Sequence, residues 1–274
     1  MLFRILFLLV LASTSINTHA LEDGTRAIGL GRSYNAVADE NAAIELNPGG
    51  IAQVKQYEIS SDYIFSKNLS QWRFAILDSI SSPMALGISY SAASFKEPAE
   101  YPEFNAIVKE ISAATVAVGG GSDYFYAGAN AQYHFTKNSS SNYYWTYSAG
   151  AILKPMAEIL NLSFTIYNFA TAGTGSNDVR RKWSAGASTN FWYLLLSAEW
   201  SKTEELNDLW GFGVHGFIQD QLALTGGYFR GKVAEEEGLS AGIAWRNSKI
   251  KIAYSYQKRF KEELHAFSIS LLPI

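Results

Sequence analysis

The sequence contains no cysteine. Disulfides, thiolate-bound zinc and thiol catalysis are thereby excluded, as is the lipidated cysteine of a lipoprotein. Charge is scarce too. Asp, Glu, Lys and Arg make up 17 % of the 274 residues, against about 25 % in soluble domains. The net charge is −3, and the clustered Lys and Arg that attract nucleic acid are missing, so nucleic acid is not an expected partner. Long apolar runs are also missing. No segment approaches the roughly twenty residues of a membrane helix, so any insertion into a bilayer must be by a closed β-barrel. Neither a cofactor nor a metal is called for.

The longest apolar stretch is Ile5 to Ala12, preceded by Arg4 and followed by the small and polar residues Ser13 to Ala20. A basic start, a short apolar core and a small-residue approach to a cut site make a secretory signal peptide over 1–20. Read instead as an anchor, the stretch is too short to span a bilayer.

From about Val54 onward the dominant period is two, the period of a strand with two different faces. Phe125, Ala127, Ala129, Ala131, Tyr133 and Phe135 share one face, while Tyr126, Gly128, Asn130, Gln132 and His134 share the other. Ile250, Ile252, Tyr254 and Tyr256 alternate with Lys251, Ser255 and Gln257, and Phe267, Ile269 and Leu271 with Ala266, Ser268 and Ser270. Counted along the chain, such segments give about fourteen strands, each long enough to cross a bilayer. The expected fold is all-β: a transmembrane antiparallel barrel over 55–274, preceded by a separate segment over 21–54.

The connections fall into two alternating classes. Short ones are expected at 78–83, 119–121, 155–158, 189–192, 218–221 and 246–248. Longer, more charged ones are expected at 95–110, 136–142, 170–181, 201–208, 231–238 and 258–262, with 66–70 the one short member. This is the layout of a bacterial outer-membrane barrel, with periplasmic turns and extracellular loops. Tyr and Trp gather towards strand ends, as interfacial girdles do. A secreted β-sandwich also alternates, but its apolar face carries more Val, Leu and Ile than the Ala and aromatic residues found here.

Residues 21–53 do not alternate. They contain Gly29-Leu30-Gly31-Arg32, then Ala36-Val37-Ala38-Asp39-Glu40-Asn41-Ala42, then Asn47-Pro48-Gly49-Gly50-Ile51-Ala52. Pro48 ends any helix begun near Asn41, and Gly49-Gly50 permits a sharp turn. A Gly-rich stretch, an AVAD-type box and an NPxG turn just before the first strand resemble the N-terminus of FadL-like barrels, the long-chain fatty-acid and hydrocarbon transporters, and of their PorV-type relatives. The resemblance covers about thirty residues by motif and the remainder by architecture. It implies that residues 21–54 fold back as a hatch in the lumen. It also implies that Asn47, Pro48 and Gly50 belong to the hatch turn, with Gly49 where the family commonly has Ala, and that Asp39 is a polar anchor to the wall. Arg32 and Asp39 are natural partners for inward charges of the barrel.

Glu58, Asp62, Arg73, Lys182, Glu199, Lys249 and Lys251 fall on inward faces in this register or near the rim. Facing lipid at mid-depth each would cost about 2–4 kcal/mol, so pairing in the lumen is expected. The histidines left after signal removal are spread over three strands, His134 and His215 inward and His265 outward, with no spacing for a shared metal. No motif marks a Ser nucleophile with its His base, and an enzyme is not expected.

Two functions remain open. The barrel passes a hydrophobic or amphipathic small molecule, with a weak spot at Ser91–Ser94 as a lateral exit. Alternatively, the barrel is closed and its short, acidic loops scaffold a surface or periplasmic protein partner. Outer-membrane lipid is a partner in either case. An apolar pocket in the lumen would favour passage, and a lumen filled by Arg–carboxylate pairs would favour the scaffold.

Overall fold

The computed structural model describes residues 24–101, 106–137, 141–156, 159–173, 179–219, 221–232, 237–259 and 262–273. The expected signal peptide at 1–20 lies outside these residues, as does the acidic stretch 234–236.

Alternation of side chains along the chain produces the strands where it was expected. They are β1 (Tyr57–Phe65), β2 (Leu69–Asp78), β3 (Ala85–Tyr101), β4 (Ala106–Ser122), β5 (Phe125–Lys137), β6 (Ser141–Met156) and β7 (Leu160–Gly173). The series continues with β8 (Lys182–Phe191), β9 (Leu194–Thr203), β10 (Asp208–Gln219), β11 (Leu222–Arg230), β12 (Gly238–Arg246), β13 (Ile250–Arg259) and β14 (Glu263–Leu271). Every strand pairs antiparallel with its sequence neighbours, and β1 pairs with β14, so the sheet closes into a fourteen-stranded barrel. Closure satisfies the edges that an open sheet would leave unpaired.

The two faces separate as the period dictates. On β2, Gln71, Arg73, Ala75 and Leu77 are buried while Trp72 and Phe74 are exposed. Leu86, Ile88 and Tyr90 of β3, Phe212 of β10 and Ile243 of β12 are likewise exposed on the outside. An apolar exterior around a polar, filled interior is an inversion of the soluble pattern, and only lipid makes it favourable.

Strands β3 and β4 run longer than expected. Both are 17 residues long, so most of the loop expected at 95–110 is paired β-structure. The turn expected at 119–121 is also strand, and the chain reverses at 123–124 instead. Val, Ile and Thr at 107–118 favour extension and carry β4 through both boundaries. Residues Ser91–Ser94 do not break β3; pairing with β4 shifts register only between Ser94 and Ala99.

Before β1 the chain forms helix α1 (Thr25–Gly29), helix α2 (Ala43–Leu46) and a 3₁₀ turn (Pro48–Ala52). Here Ala27, Leu30, Tyr34, Val37, Ile44, Leu46 and Ile51 are buried against inward-facing Ala75, Leu77, Ala85, Ala117 and Ile152. The main core thus lies inside the barrel, between segment and wall. A second apolar cluster, with Ile28, Ile64, Leu69, Phe95, Ile111, Tyr144 and Leu264, sits nearer the long-loop end.

Candidate functional site

Residues 24–53 meet the wall through four sets of contacts. The first is at the end of α1. Gly31 and Arg32 both have left-handed φ values, 61° and 65°, and the Arg32 amide donates to the Ala27 carbonyl at 3.0 Å. Such a reversal at a helix C-terminus favours glycine. Gly31 also lies against β10 and β11, where an added Cβ would stand 2.5 Å from the Tyr228 amide nitrogen.

The second set centres on Glu199 of β9. Its Oε2 accepts the backbone amides of Tyr34 and Asn35 at 2.9 and 3.0 Å. Its Oε1 accepts Asn35 Nδ2 at 3.0 Å and Ser184 Oγ at 2.7 Å. A carboxylate that receives four donors is an effective clamp for otherwise orphaned backbone amides.

The third set is ionic. Arg73 of β2 donates to Glu45 of α2 from Nε at 3.1 Å and from Nη2 at 2.7 Å. The same guanidinium donates to Asp62 of β1 at 2.9 Å and to the Asn41 carbonyl at 2.6 Å, and Thr25 donates to Asp62 at 3.1 Å. Further round, Arg26 contacts Asp39 at 2.7 Å and Glu40 at 2.8 Å, and Lys251 of β13 reaches Glu40 at 2.5 Å. Burial pushes the Glu40 carboxyl up, but Lys251 and Arg26 outweigh it and hold the pKa at about 2. Burial lowers that of Arg26, and Asp39 and Glu40 overcome this and raise it above its ordinary value.

The fourth set is steric. Asn47 Oδ1 accepts the Gly49 amide at 3.2 Å, capping the 3₁₀ turn, and Asn47 Nδ2 donates to the Asn35 carbonyl at 2.9 Å. The turn rests on Gly119, Gly128 and Gly150 of three neighbouring strands. A Cβ at Gly128 would lie 2.2 Å from the Pro48 carbonyl oxygen, and one at Gly150 would lie 2.1 Å from Asn47 Oδ1. Within the segment, Gly50 has the same need, because its Cβ would stand 2.0 Å from the Ala38 carbonyl oxygen.

The residues expected to matter divide accordingly. Asn47, Pro48, Gly49 and Gly50 form one buried turn. Glu58, Asp62, Arg73 and Glu199 are buried and inward, and Lys251 is half-buried beside them. Glu58 accepts the Asn41 amide at 3.3 Å and Gln56 Nε2 at 3.2 Å. Lys182 sits 4.6 Å over the Tyr167 ring.

Two expectations need correction. Lys249 does not face the lumen: it is exposed in the turn between β12 and β13, where its amide donates to Asn247 Oδ1. It keeps the parity of Lys251 but lies beyond the end of the strand. Asp39 pairs with Arg26 inside the segment rather than with the wall, and its neighbour Glu40 makes the link to Lys251. Arg32 reaches the wall, with its guanidinium 5.5 Å from the centre of the Phe229 ring of β11. The residues missed, Arg26, Asn35, Glu40 and Glu45, are polar residues in a short segment without periodicity, and two Arg among the carboxylates were the only signal.

The three histidines among the described residues have separate surroundings. His134 pairs with Thr146 at 3.0 Å, His265 with the Tyr254 hydroxyl at 2.8 Å, and His215 packs edge-on against Phe217. Beside His215, at the short-connection end of the lumen, lies a cavity of about 140 Å³. Its wall includes Val54, Phe217, Ala223, Ala244, Ala253 and Leu272, together with Arg26, Glu40, Glu58, Lys251 and other polar side chains. The lumen therefore holds both an Arg–carboxylate network and a largely apolar pocket.

A closed fourteen-stranded barrel with an apolar exterior and a filled interior defines a transmembrane β-barrel of the bacterial outer-membrane type. Its fold is that of FadL-like channels. It superposes on the toluene transporter TbuX of Ralstonia pickettii with TM-score 0.66 and 10 % identity, over 93 % of this chain and 98 % of that one. The toluene transporter TodX of P. putida gives TM-score 0.64 and 9 % identity, over 94 % and 97 %. A FadL homologue of Pseudomonas aeruginosa gives 0.62 and 12 %, over 91 % and 97 %. No protein-family model matches the sequence, and no curated protein matches it. The scaffold reading finds no support in these likenesses.

Proposed function

We propose that this protein is a channel in the outer membrane for small hydrophobic or amphipathic molecules, with residues 24–53 as its hatch. One observation carries the reading. The segment occupies the lumen, held by polar and ionic contacts with the wall, yet a cavity of about 140 Å³ with a mainly apolar surface lies beside it. A concave, mainly apolar surface with a few polar groups is the usual form of a small-molecule site. The fold shared with hydrocarbon transporters supports the same reading.

A molecule would enter from the long-loop end past the apolar cluster of Phe95, Ile111 and Leu264, and leave past the cavity at the short-turn end. Movement requires two arrangements of the hatch and a ligand with different affinity for each. The absence of native cysteine allows a direct test. Cysteines at Ile44 and Gly87, where a Cβ on residue 87 would stand 3.7 Å from that of residue 44, have the spacing of a disulfide and would tether the hatch to β3. Oxidation should stop uptake of a small hydrophobe into proteoliposomes, and reduction should restore it. Equal flux in both states would overturn the proposal.

A further inference from the structure

The cavity at the short-turn end is lined by two side chains that each carry a buried polar atom without a hydrogen-bond partner among the described residues. His215 is 5 % exposed, and its Nδ1 is buried without a hydrogen bond. Arg26 binds Asp39 and Glu40 through Nη1 while its Nε is buried and unpaired. Both side chains line the same space. An unpaired buried donor forfeits its bonds to water, and native proteins rarely leave one without a purpose.

We infer that the cavity is a binding subsite for a single-ring or similarly small hydrophobe that carries one neutral hydroxyl, with His215 and Arg26 as the groups that recognise it. Size sets the first limit: a cavity of about 150 Å³ lined by apolar side chains holds one benzene ring, and this one is about 140 Å³. Chemistry sets the second. Arg26 Nε–H can only donate, so the ligand must offer an oxygen acceptor. Nδ1 donates or accepts according to the tautomer, and a hydroxyl answers either form. Charge sets the third. The lining acids Asp39, Glu40 and Glu58 are matched by the lining bases Arg26, Arg246 and Lys251, three against three. A carboxylate would bring an uncompensated buried charge, which is expensive, whereas a neutral hydroxyl brings none. Apolar contact with Ala223, Ala244 and Ala253 would hold the ring.

The inference deepens the channel reading and rests on it: the subsite would be the last stop on the path. Its test is equilibrium binding to the full-length protein in detergent, with p-cresol and toluene as probes that differ by one hydroxyl. The unaltered protein should prefer p-cresol by about tenfold, the worth of one buried hydrogen bond. His215→Phe keeps an aromatic ring and removes the nitrogen, so it should erase the preference while toluene binding changes less than about twofold. Ala223→Trp, which fills the space and leaves His215 intact, should abolish binding of both.

Histidine ¹⁵N resonances of the unaltered protein give a second readout independent of any variant's folding. The His215 ring should respond to p-cresol and not to toluene. Equal affinity for the two probes, a preference that survives His215→Phe, or an unresponsive His215 ring would each overturn the subsite. Flux in proteoliposomes separates the two proposals. Flux without discrimination between the probes overturns the subsite alone, and selective binding without flux overturns the channel alone.

Discussion

Arg73 and Glu45 form a two-pronged ion pair between the barrel wall and the segment inside it. Nε and Nη2 of the guanidinium each donate to one carboxylate oxygen, at 3.1 and 2.7 Å, and both side chains are almost fully buried. Only Arg presents a planar fork that matches a carboxylate in this way.

Removing one partner of a buried pair strands the other, at a cost of about 3–5 kcal/mol. Arg73→Met should therefore loosen residues 41–46 without opening the barrel, whose strands are joined by backbone hydrogen bonds. Hydrogen exchange in the segment should accelerate strongly while that of β5 and β6 holds. Arg73→Lys, which restores charge but not the fork, should recover only part of the protection. Unchanged exchange in Arg73→Met would contradict the role assigned to this pair.

A steric seat predicts a different kind of failure. Gly128→Val pushes a side chain into the Pro48 carbonyl oxygen, 2.2 Å from the new Cβ, and overpacking of this kind costs about 1–3 kcal/mol. The 3₁₀ turn should lift from the wall, seen as protease cleavage within 43–53. Gly120→Val is the control, because nothing lies within 4 Å of its Cβ, and it should behave as the unaltered protein does.

Acid should weaken the other ionic contact. The Glu40 pKa is about 2 in the folded protein, below its ordinary 4.5. A lowered folded value means that the stabilisation is fully present above about 4.5 and is lost as pH falls through about 2. Protease susceptibility of residues 24–42 should rise across that window. Glu40→Gln should be susceptible at neutral pH already and show a much flatter profile there. A profile with the same slope in both proteins would assign the acid response to another group.

The exterior can be tested against lipid. Phe74 is 49 % exposed near the middle of β2. Phe74→Arg should destabilise the barrel folded in lipid vesicles by about 2–4 kcal/mol at mid-depth, measured by urea titration. Lys202→Ala, at the end of β9, should change it by less than about 0.5 kcal/mol, as surface substitutions do. Similar effects for both would place Phe74 outside the hydrocarbon layer.

Much of the barrel was legible because a strand reveals its faces locally. The alternation of Trp72 and Phe74 with Gln71 and Arg73 is visible in consecutive residues, and lipid on one side with a packed lumen on the other keeps it regular. The turn at Asn47-Pro48-Gly49-Gly50 was legible for a similar reason, since proline and glycine constrain the backbone wherever they stand. Strand ends were less so. Lys249 shares the parity of Lys251, but parity does not say where pairing stops.

Closure of the ring decides who meets whom. A period of two gives the side of the sheet on which Arg73 lies, not its height or its place around the ring. Those depend on closure by β1 and β14 and on the path of residues 24–53, which has no period to read. Hence Glu45 rather than Asp39 answers Arg73, Glu40 answers Lys251, and glycines 119, 128 and 150, far apart in sequence, form one seat. Local pattern is enough to specify a barrel with a distinct segment before it. The contacts between the two, and the cavity they leave beside His215, arise from long-range register that no local pattern encodes.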